Sequence, residues 1–406
     1  MHGCHWVEST WGLGSDPVGY AAVRRRGSPT EARSLGEADG MPDRAKEMTK
    51  RPSPQRPRTA RLRRSDCSRS GLRRLRQGRG FRYVDEHGKR VSDGDTLKRI
   101  GELAIPSAWN DVWICPFPNG HLQAVGTDVK GRRQYLYHQR WRQRRDQQKF
   151  DAMVEFARAL PDLRAVASRD LDQEGPTREQ VLAAAIRLLD RGFFRVGGEE
   201  YAEDNETYGL ATMKKRHVSL LGNGLVVFDY PAKAGKQRVQ AVVDTRVCEI
   251  LAALKRRRGR LDELLAYREG RQWQDISSAD INAYIKSSSG GDFSAKDFRT
   301  WHATVLAAIA IAVSGRAARS ATARKRAITR SVAEVAHYLG NTPAVCRASY
   351  IDPRVFDQYN DGLTIGGVLA ELGDHPLEDP SLQGPVEAAV LDLLEDEDSR
   401  ALQMVG

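Results

Sequence analysis

Leu225-Val226-Val227-Phe228-Asp229-Tyr230-Pro231-Ala232-Lys233-Ala234-Gly235-Lys236-Gln237-Arg238-Val239-Gln240-Ala241-Val242 reads as a β-hairpin in a chain that is otherwise helical on both sides. Leu225–Tyr230 and Arg238–Val242 are rich in β-formers, and Ala232-Lys233-Ala234-Gly235 supplies the turn between them. Upstream, Gly222-Asn223-Gly224 is a strong two-strand turn signal and adds a third strand over Arg216–Leu221. A three-stranded sheet set among helices defines the α+β class.

Helices flank this sheet. Apolar residues recur at helical spacing over Phe150–Leu160 and Thr177–Arg191, with Pro176 and Thr177 suited to a helix start. Helical patterns resume at Thr245–Arg257, Ser278–Ser287, Phe298–Val313, Val332–Tyr338 and Thr342–Tyr350. These segments predict a mainly helical domain over 141–373.

The texture before Trp141 is different. Phe81–Val84, the Trp113 segment, His121–Thr127 and Arg132–Tyr137 alternate as strands, with one short helix at Thr96–Leu103. Residues 80–140 are therefore expected to form a small β-rich module, with Trp109, Trp113 and Trp141 as core residues. Residues 1–79 read as a disordered basic tail. Between Arg51 and Arg79 lie eleven arginines and one acid, Asp66. Such a stretch buries too little apolar surface to offset its ordering entropy. It is suited to touching phosphates without reading sequence. Met41 and Met48 inside it are alternative starts. Residues 374–406 read as an acidic tail with a helix near Val386–Leu394.

Composition narrows the function. The net charge is +11, which points first to a polyanion such as nucleic acid. No apolar run reaches the ~18 residues of a membrane span, and no basic-then-apolar leader opens the chain. The five cysteines form no CxxC pair and the nine histidines no HExxH-like spacing, so neither a disulfide framework nor a metal is expected. No cofactor is expected either. A reducing cytoplasm fits.

Four polar positions suggest chemistry: Arg195, Lys233, Arg299 and Tyr350, the last closing Gly340-Asn341-Thr342-Pro343-Ala344-Val345-Cys346-Arg347-Ala348-Ser349-Tyr350. A phosphodiester under attack gathers charge on its non-bridging oxygens, and guanidinium forks match those oxygens well. A tyrosine must lose its proton as it attacks. The leaving 5′ oxygen needs one, which a lysine can deliver if neighbouring cations lower its pKa. Each residue also has an ordinary structural reading. Arg195 is a plausible partner for Glu199 or Glu200, Arg299 a helix-start residue, Lys233 a solvated turn charge and Asn341 a helix cap. His217 and His302 read as structural.

The motifs together resemble a family. Phe194-Arg195-Val196-Gly197-Gly198-Glu199-Glu200-Tyr201 with Asn205-Glu206-Thr207-Tyr208-Gly209-Leu210-Ala211-Thr212 is similar to the first arginine motif of type IB DNA topoisomerases, in particular the small poxvirus-like branch found in bacteria. Lys296-Asp297-Phe298-Arg299-Thr300 resembles its second arginine motif, Phe228 to Lys233 its lysine hairpin, and Gly340 to Tyr350 its nucleophile motif. Ile105-Pro106-Ser107-Ala108-Trp109, Gly126-Thr127-Asp128 and Gly131 to His138 are similar to its N-terminal module.

The resemblance implies a tyrosine recombinase/topoisomerase IB-like fold and a clamp around double-stranded DNA. It implies relaxation of positive and negative supercoils through a 3′-phosphotyrosyl intermediate, without ATP or metal. Tyr350 is then the nucleophile, Arg195 and Arg299 hold the non-bridging oxygens, and Lys233, rather than Lys236, donates to the leaving oxygen. Asn341 stands where many relatives carry histidine and is limited to a neutral hydrogen bond. Gln134, Tyr135 and Tyr137 become candidate DNA contacts. A monomer acting on the nucleoid is expected. The alternatives are a tyrosine site-specific recombinase, disfavoured by the β-rich N-terminus and by Lys296-Asp297-Phe298 ahead of Arg299, and a non-catalytic DNA-binding protein.

Overall fold

A computed structural model describes residues 61–404, apart from 200–201, 203–205, 260–261, 315–317, 319, 374–382 and 397–398. Most of the expected basic tail, residues 1–60, lies outside the described residues.

The N-terminal part is a five-stranded antiparallel sheet in the order β2-β1-β3-β4-β5. Its strands are β1 (Leu72–Gln77), β2 (Gly80–Val84), β3 (Asn110–Ile114), β4 (Leu122–Thr127) and β5 (Arg133–Tyr137). Helix α1 (Gly94–Glu102) is capped by Asp93, whose carboxylate accepts from the Thr96 amide. Ile100, Val112, Ile114 and Ala124 form a small core of their own, with Trp109 packed against it.

Strand β1 corrects the boundary expected at residue 79. Its arginines concealed the strand from a composition argument, yet one of them is structural. Arg74 is buried and donates to the carbonyls of Ile105, Pro106 and Trp109 at 3.2, 3.0 and 2.6 Å. The stretch before β1 is also tied down, with the Arg63 amide bonded to the Asn119 carbonyl and the Ser65 amide to His121 Nδ1.

Helix α2 (Gln139–Leu171) starts at the His138 cap and continues through Pro161, well beyond the Phe150–Leu160 expected. It packs on α3 (Arg178–Gly192), whose alanine- and leucine-rich stretch is almost wholly buried. Next comes the three-stranded antiparallel sheet β6 (Val218–Leu220), β7 (Leu225–Ala232) and β8 (Lys236–Val243), in that order. Asn223, with φ of 48°, lies between two glycines that are also left-handed, as the tight turn requires. After α4 (Thr245–Arg256), a hairpin of β9 (Ala266–Glu269) and β10 (Gln272–Asp275) was not anticipated.

The remaining helices are α5 (Ser278–Ser289), α6 (Ala295–Ser314), α7 (Ala321–Leu339), α8 (Pro343–Ser349), α9 (Arg354–Asn360), α10 (Gly366–Leu372) and α11 (Gln383–Glu395). Helix α6 is central: Phe298, Trp301, Ala303, Ala307 and Ile311 are buried in the main core. Among the described residues no helix is long and apolar enough to cross a membrane.

The acidic C-terminus is also corrected. Its described part is docked, not a free tail. Val386, Ala389, Val390, Leu393 and Leu394 fall on one helical stripe and join the main core. Beyond it, β12 (Gln403–Met404) pairs with β11 (Leu363–Thr364).

Candidate active site

Arg195 is placed by a break in the backbone. Helix α3 ends at Phe193, which adopts the left-handed conformation with φ of 54°. The next residues run alongside 208–211, joined by the Leu210 amide to the Arg195 carbonyl at 2.8 Å and the Ala211 amide to the Val196 carbonyl at 2.7 Å. A side chain at Gly209 has no room: its Cβ would stand 2.4 Å from the Gly197 nitrogen. The Tyr208 amide in turn bonds the Pro231 carbonyl at 2.8 Å, drawing this loop to the tip of β7. Glu199 is not an Arg195 partner. Its carboxylate accepts from the Ser278 amide and hydroxyl.

Lys233 opens the one-turn helix between β7 and β8 and is exposed. It lines a cleft of about 290 Å³ together with Arg195, Gly197, Gly198, Arg299 and Tyr350. Lys236, pairing with Ala232 at the start of β8, is not part of that lining.

Arg299 lies in the first turns of α6, where the Ser294 amide and hydroxyl donate to the Asp297 carboxylate at 2.8 and 2.9 Å. It is 4 % exposed. Its guanidinium donates to the carbonyl of Phe193 and, at 2.8 Å, to that of Leu339. Its Nε–H, also buried, has no partner among the described residues. Burial, with the Arg195 charge adding to it, pushes its pKa down to about 10, so it stays cationic at neutral pH.

Tyr350 terminates α8, its amide bonded to the Cys346 carbonyl at 2.9 Å. The Arg299 guanidinium carbon is 5.4 Å from its ring centre. Burial works to raise the phenol pKa. The positive charges of Arg299 and then Arg195 outweigh burial and leave it below the ordinary tyrosine value.

Asn341 follows Gly340, the left-handed cap of α7 at φ of 62°. It is not the cap of α8: Thr342 is, accepting from the Val345 amide. The Asn341 Oδ1 accepts a hydrogen bond from Arg195, while its buried Nδ2 has no partner among the described residues. Arg195, Lys233, Arg299 and Tyr350 thus meet in one cleft, and Asn341 joins them through Arg195.

The candidate DNA contacts divide. Tyr135 and Tyr137 are exposed on one face of β5, rings stacked 6.2 Å apart. Gln134 is on the opposite face and its amide donates to Asp128 at 3.0 Å. His217 and His302 are buried and do not line the cleft.

Three residues near the site were given no role by the sequence. Lys296 also lines the cleft, and its position three before Arg299 on one helix face was a readable signal. Lys149 of α2 donates to the Ser349 carbonyl, beside the tyrosine, at 3.2 Å. Arg238 of β8 donates to the carbonyls of His337 and Tyr338 and braces the turn that carries Asn341. The last two connect residues too distant in sequence to be paired by pattern.

A partly buried phenol between two arginines, one fully buried, with a lysine at the rim, suits attack on an anionic phosphodiester. Two family models match the chain. Residues 138–364, over half of it, match "Eukaryotic DNA topoisomerase I, catalytic core", and residues 80–128 match "Bacterial DNA topoisomerase IB, N-terminal domain". The DNA topoisomerase 1B of Acanthamoeba polyphaga mimivirus is 28 % identical over 298 residues, covering 72 % of this chain and 88 % of the viral protein. DNA topoisomerase 1B of vaccinia virus (strain Copenhagen) is 27 % identical over 103 residues, 25 % of this chain and 33 % of that protein. DNA topoisomerase 1 beta of Arabidopsis thaliana is 24 % identical over 161 residues, 39 % of this chain and 16 % of the plant protein.

The chain belongs to the type IB DNA topoisomerase family, with the N-terminal domain of its bacterial branch.

Proposed function

We propose that this enzyme relaxes both positive and negative supercoils in duplex DNA by transient cleavage of one strand. The Tyr350 phenol gives up its proton to water as its oxygen attacks the phosphorus and the bond to the 5′ oxygen breaks, leaving a 3′-phosphotyrosyl link. Arg195 and Arg299 hold the non-bridging oxygens, and the free Nδ2–H of Asn341 supplies a neutral donor. Lys233 gives its proton to the leaving 5′ oxygen. After the downstream duplex swivels, the 5′ hydroxyl attacks the phosphotyrosine and returns its proton to Lys233, and the departing Tyr350 phenolate takes a proton back from water. The tyrosyl link conserves the energy of the broken ester, so neither ATP nor a metal is called for.

The observation that carries this reading is the meeting of Arg195, Lys233, Arg299 and Tyr350, from four separate segments, in one cleft. The depressed phenol pKa adds to it, since attack requires loss of that proton. The N-terminal module that includes β1 and the helical domain that includes α11 act as two jaws around DNA. Tyr135 and Tyr137 are its exposed contacts, Gln134 a third once released from Asp128. A monomer suffices for such a clamp, and its place of work is the nucleoid in the cytoplasm.

The test is relaxation of negatively and positively supercoiled plasmid in EDTA without ATP, for wild type beside Tyr350→Phe. Relaxation of both signs, lost in the variant while DNA binding persists, is expected. Binding without relaxation by either protein would move the assignment to a recombinase or an architectural binder.

A further inference from the structure

The C-terminal helix lies beyond the nucleophile in sequence, yet it reaches the scaffold of the site. Glu387 of α11 is buried. Its Oε1 accepts from Trp301 Nε1 at 3.0 Å, and its two oxygens accept from Arg164 of α2 at 2.6 and 2.9 Å. Arg164 donates equally to Asp190 of α3, at 2.8 and 2.9 Å. Asp190 Oδ1 stands 3.3 Å from His302 Nε2.

The endpoints of this network matter. Trp301 and His302 follow Arg299 by two and three residues on α6. Asp190 precedes Phe193 by three, and the Phe193 carbonyl is one of the two that hold the Arg299 guanidinium. The Phe193 ring stands edge-on to His302, with centres 5.4 Å apart. The network therefore fixes both the helix that carries Arg299 and the helix end that clamps it.

We propose that Glu387 is a positioning residue for Arg299, through which the C-terminal helix presets the cleft for reaction. This rests on the reading of Arg299 as a phosphate-holding residue. The network reaches Arg299 through its helix neighbours Trp301 and His302 and through the α3 end whose Phe193 carbonyl accepts from the guanidinium. Misplacement of a catalytic group by about 1 Å is enough to slow chemistry about 100-fold.

The experiment is single-turnover cleavage of a DNA duplex by the full chain, for wild type, Glu387→Ala, Arg299→Ala and the double variant, with DNA affinity measured in parallel. Glu387→Ala is expected to slow cleavage about 10- to 100-fold with affinity nearly unchanged. The double variant is expected to be no slower than Arg299→Ala alone, because Glu387 acts through that side chain. Wild-type cleavage by Glu387→Ala, or a double variant whose losses multiply, would overturn the proposal. If Glu387→Ala does not fold, Glu387→Gln keeps the side-chain volume but replaces one of the two oxygens that accept from Arg164. It should slow cleavage in the same direction, again only when Arg299 is present, and an Arg299-independent loss would count against the proposal. Wild-type cleavage by Arg299→Ala alone would instead remove the role of Arg299, and this proposal with it.

Discussion

Arg195 donates a hydrogen bond to the Oδ1 of Asn341, and that bond decides which way the amide faces. A guanidinium has no acceptor, so it must meet the oxygen and not the nitrogen. The Nδ2 is thereby left as a buried donor without a partner among the described residues. Such a group is costly to leave unpaired, and the proposed mechanism would pair it with an oxygen of the phosphate held by Arg195.

Removing that donor should slow cleavage about 100-fold, so Asn341→Ala is expected to lose transition-state binding more than DNA affinity. Asn341→His should restore a donor that titrates near ~6.5. Its cleavage rate relative to wild type is expected to fall between pH 6 and pH 8. A ratio that stays flat across that range would show that the side chain at 341 does not contact the phosphate.

Lys233 and Lys236 are three residues apart on one turn, but only Lys233 lines the cleft. Lys233→Ala should slow cleavage about 100- to 10,000-fold, and Lys236→Ala far less. A substrate with sulfur in place of the leaving 5′ oxygen needs no proton to depart, so it should cleave at nearly the same rate with either protein. Persistence of the Lys233→Ala defect on the sulfur substrate would argue for a charge role instead of proton donation.

Much of this was legible because it is local. The Gly222-Asn223-Gly224 turn, the Thr177 cap and the motif order each declare themselves within a few residues. Strand β1 did not, because Arg73, Arg74 and Arg76 mask a strand whose burial depends on carbonyls about thirty residues away. The docking of α11 was half legible: its apolar stripe predicted the helix, while nine acids over 374–406 argued for a free tail. Glu387 with Arg164, 223 residues apart, carries no local signal at all. What pattern reading missed is the long-range polar pairing that holds the site.

The position of β1 separates two truncations. It lies between β2 and β3, so its loss removes a partner from both. Deleting residues 1–79 should unfold the N-terminal module and sharply weaken DNA binding. Deleting 1–60 should leave its thermal transition in place and only flatten the salt dependence of binding, as phosphate contacts are lost. Equal thermal profiles for the two truncations would contradict the structural role of β1.

Asp275, at the end of β10, offers a test through pH. Burial, with the Glu263 charge adding to it, raises its carboxyl to about 7, and its Oδ1 has no hydrogen-bond partner among the described residues. An unfolded aspartate titrates near ~3.9. The folded state thus binds the proton more tightly, so its contribution is complete below about pH 4 and is lost as pH rises through about 7. Asp275→Asn mimics the neutral form at every pH. Thermal unfolding should show the variant gaining on wild type as pH climbs from 4 to 8, with no advantage at the acid end. A stability difference that does not change across this range would mean that Asp275 is ionised in the folded protein as freely as in the unfolded one.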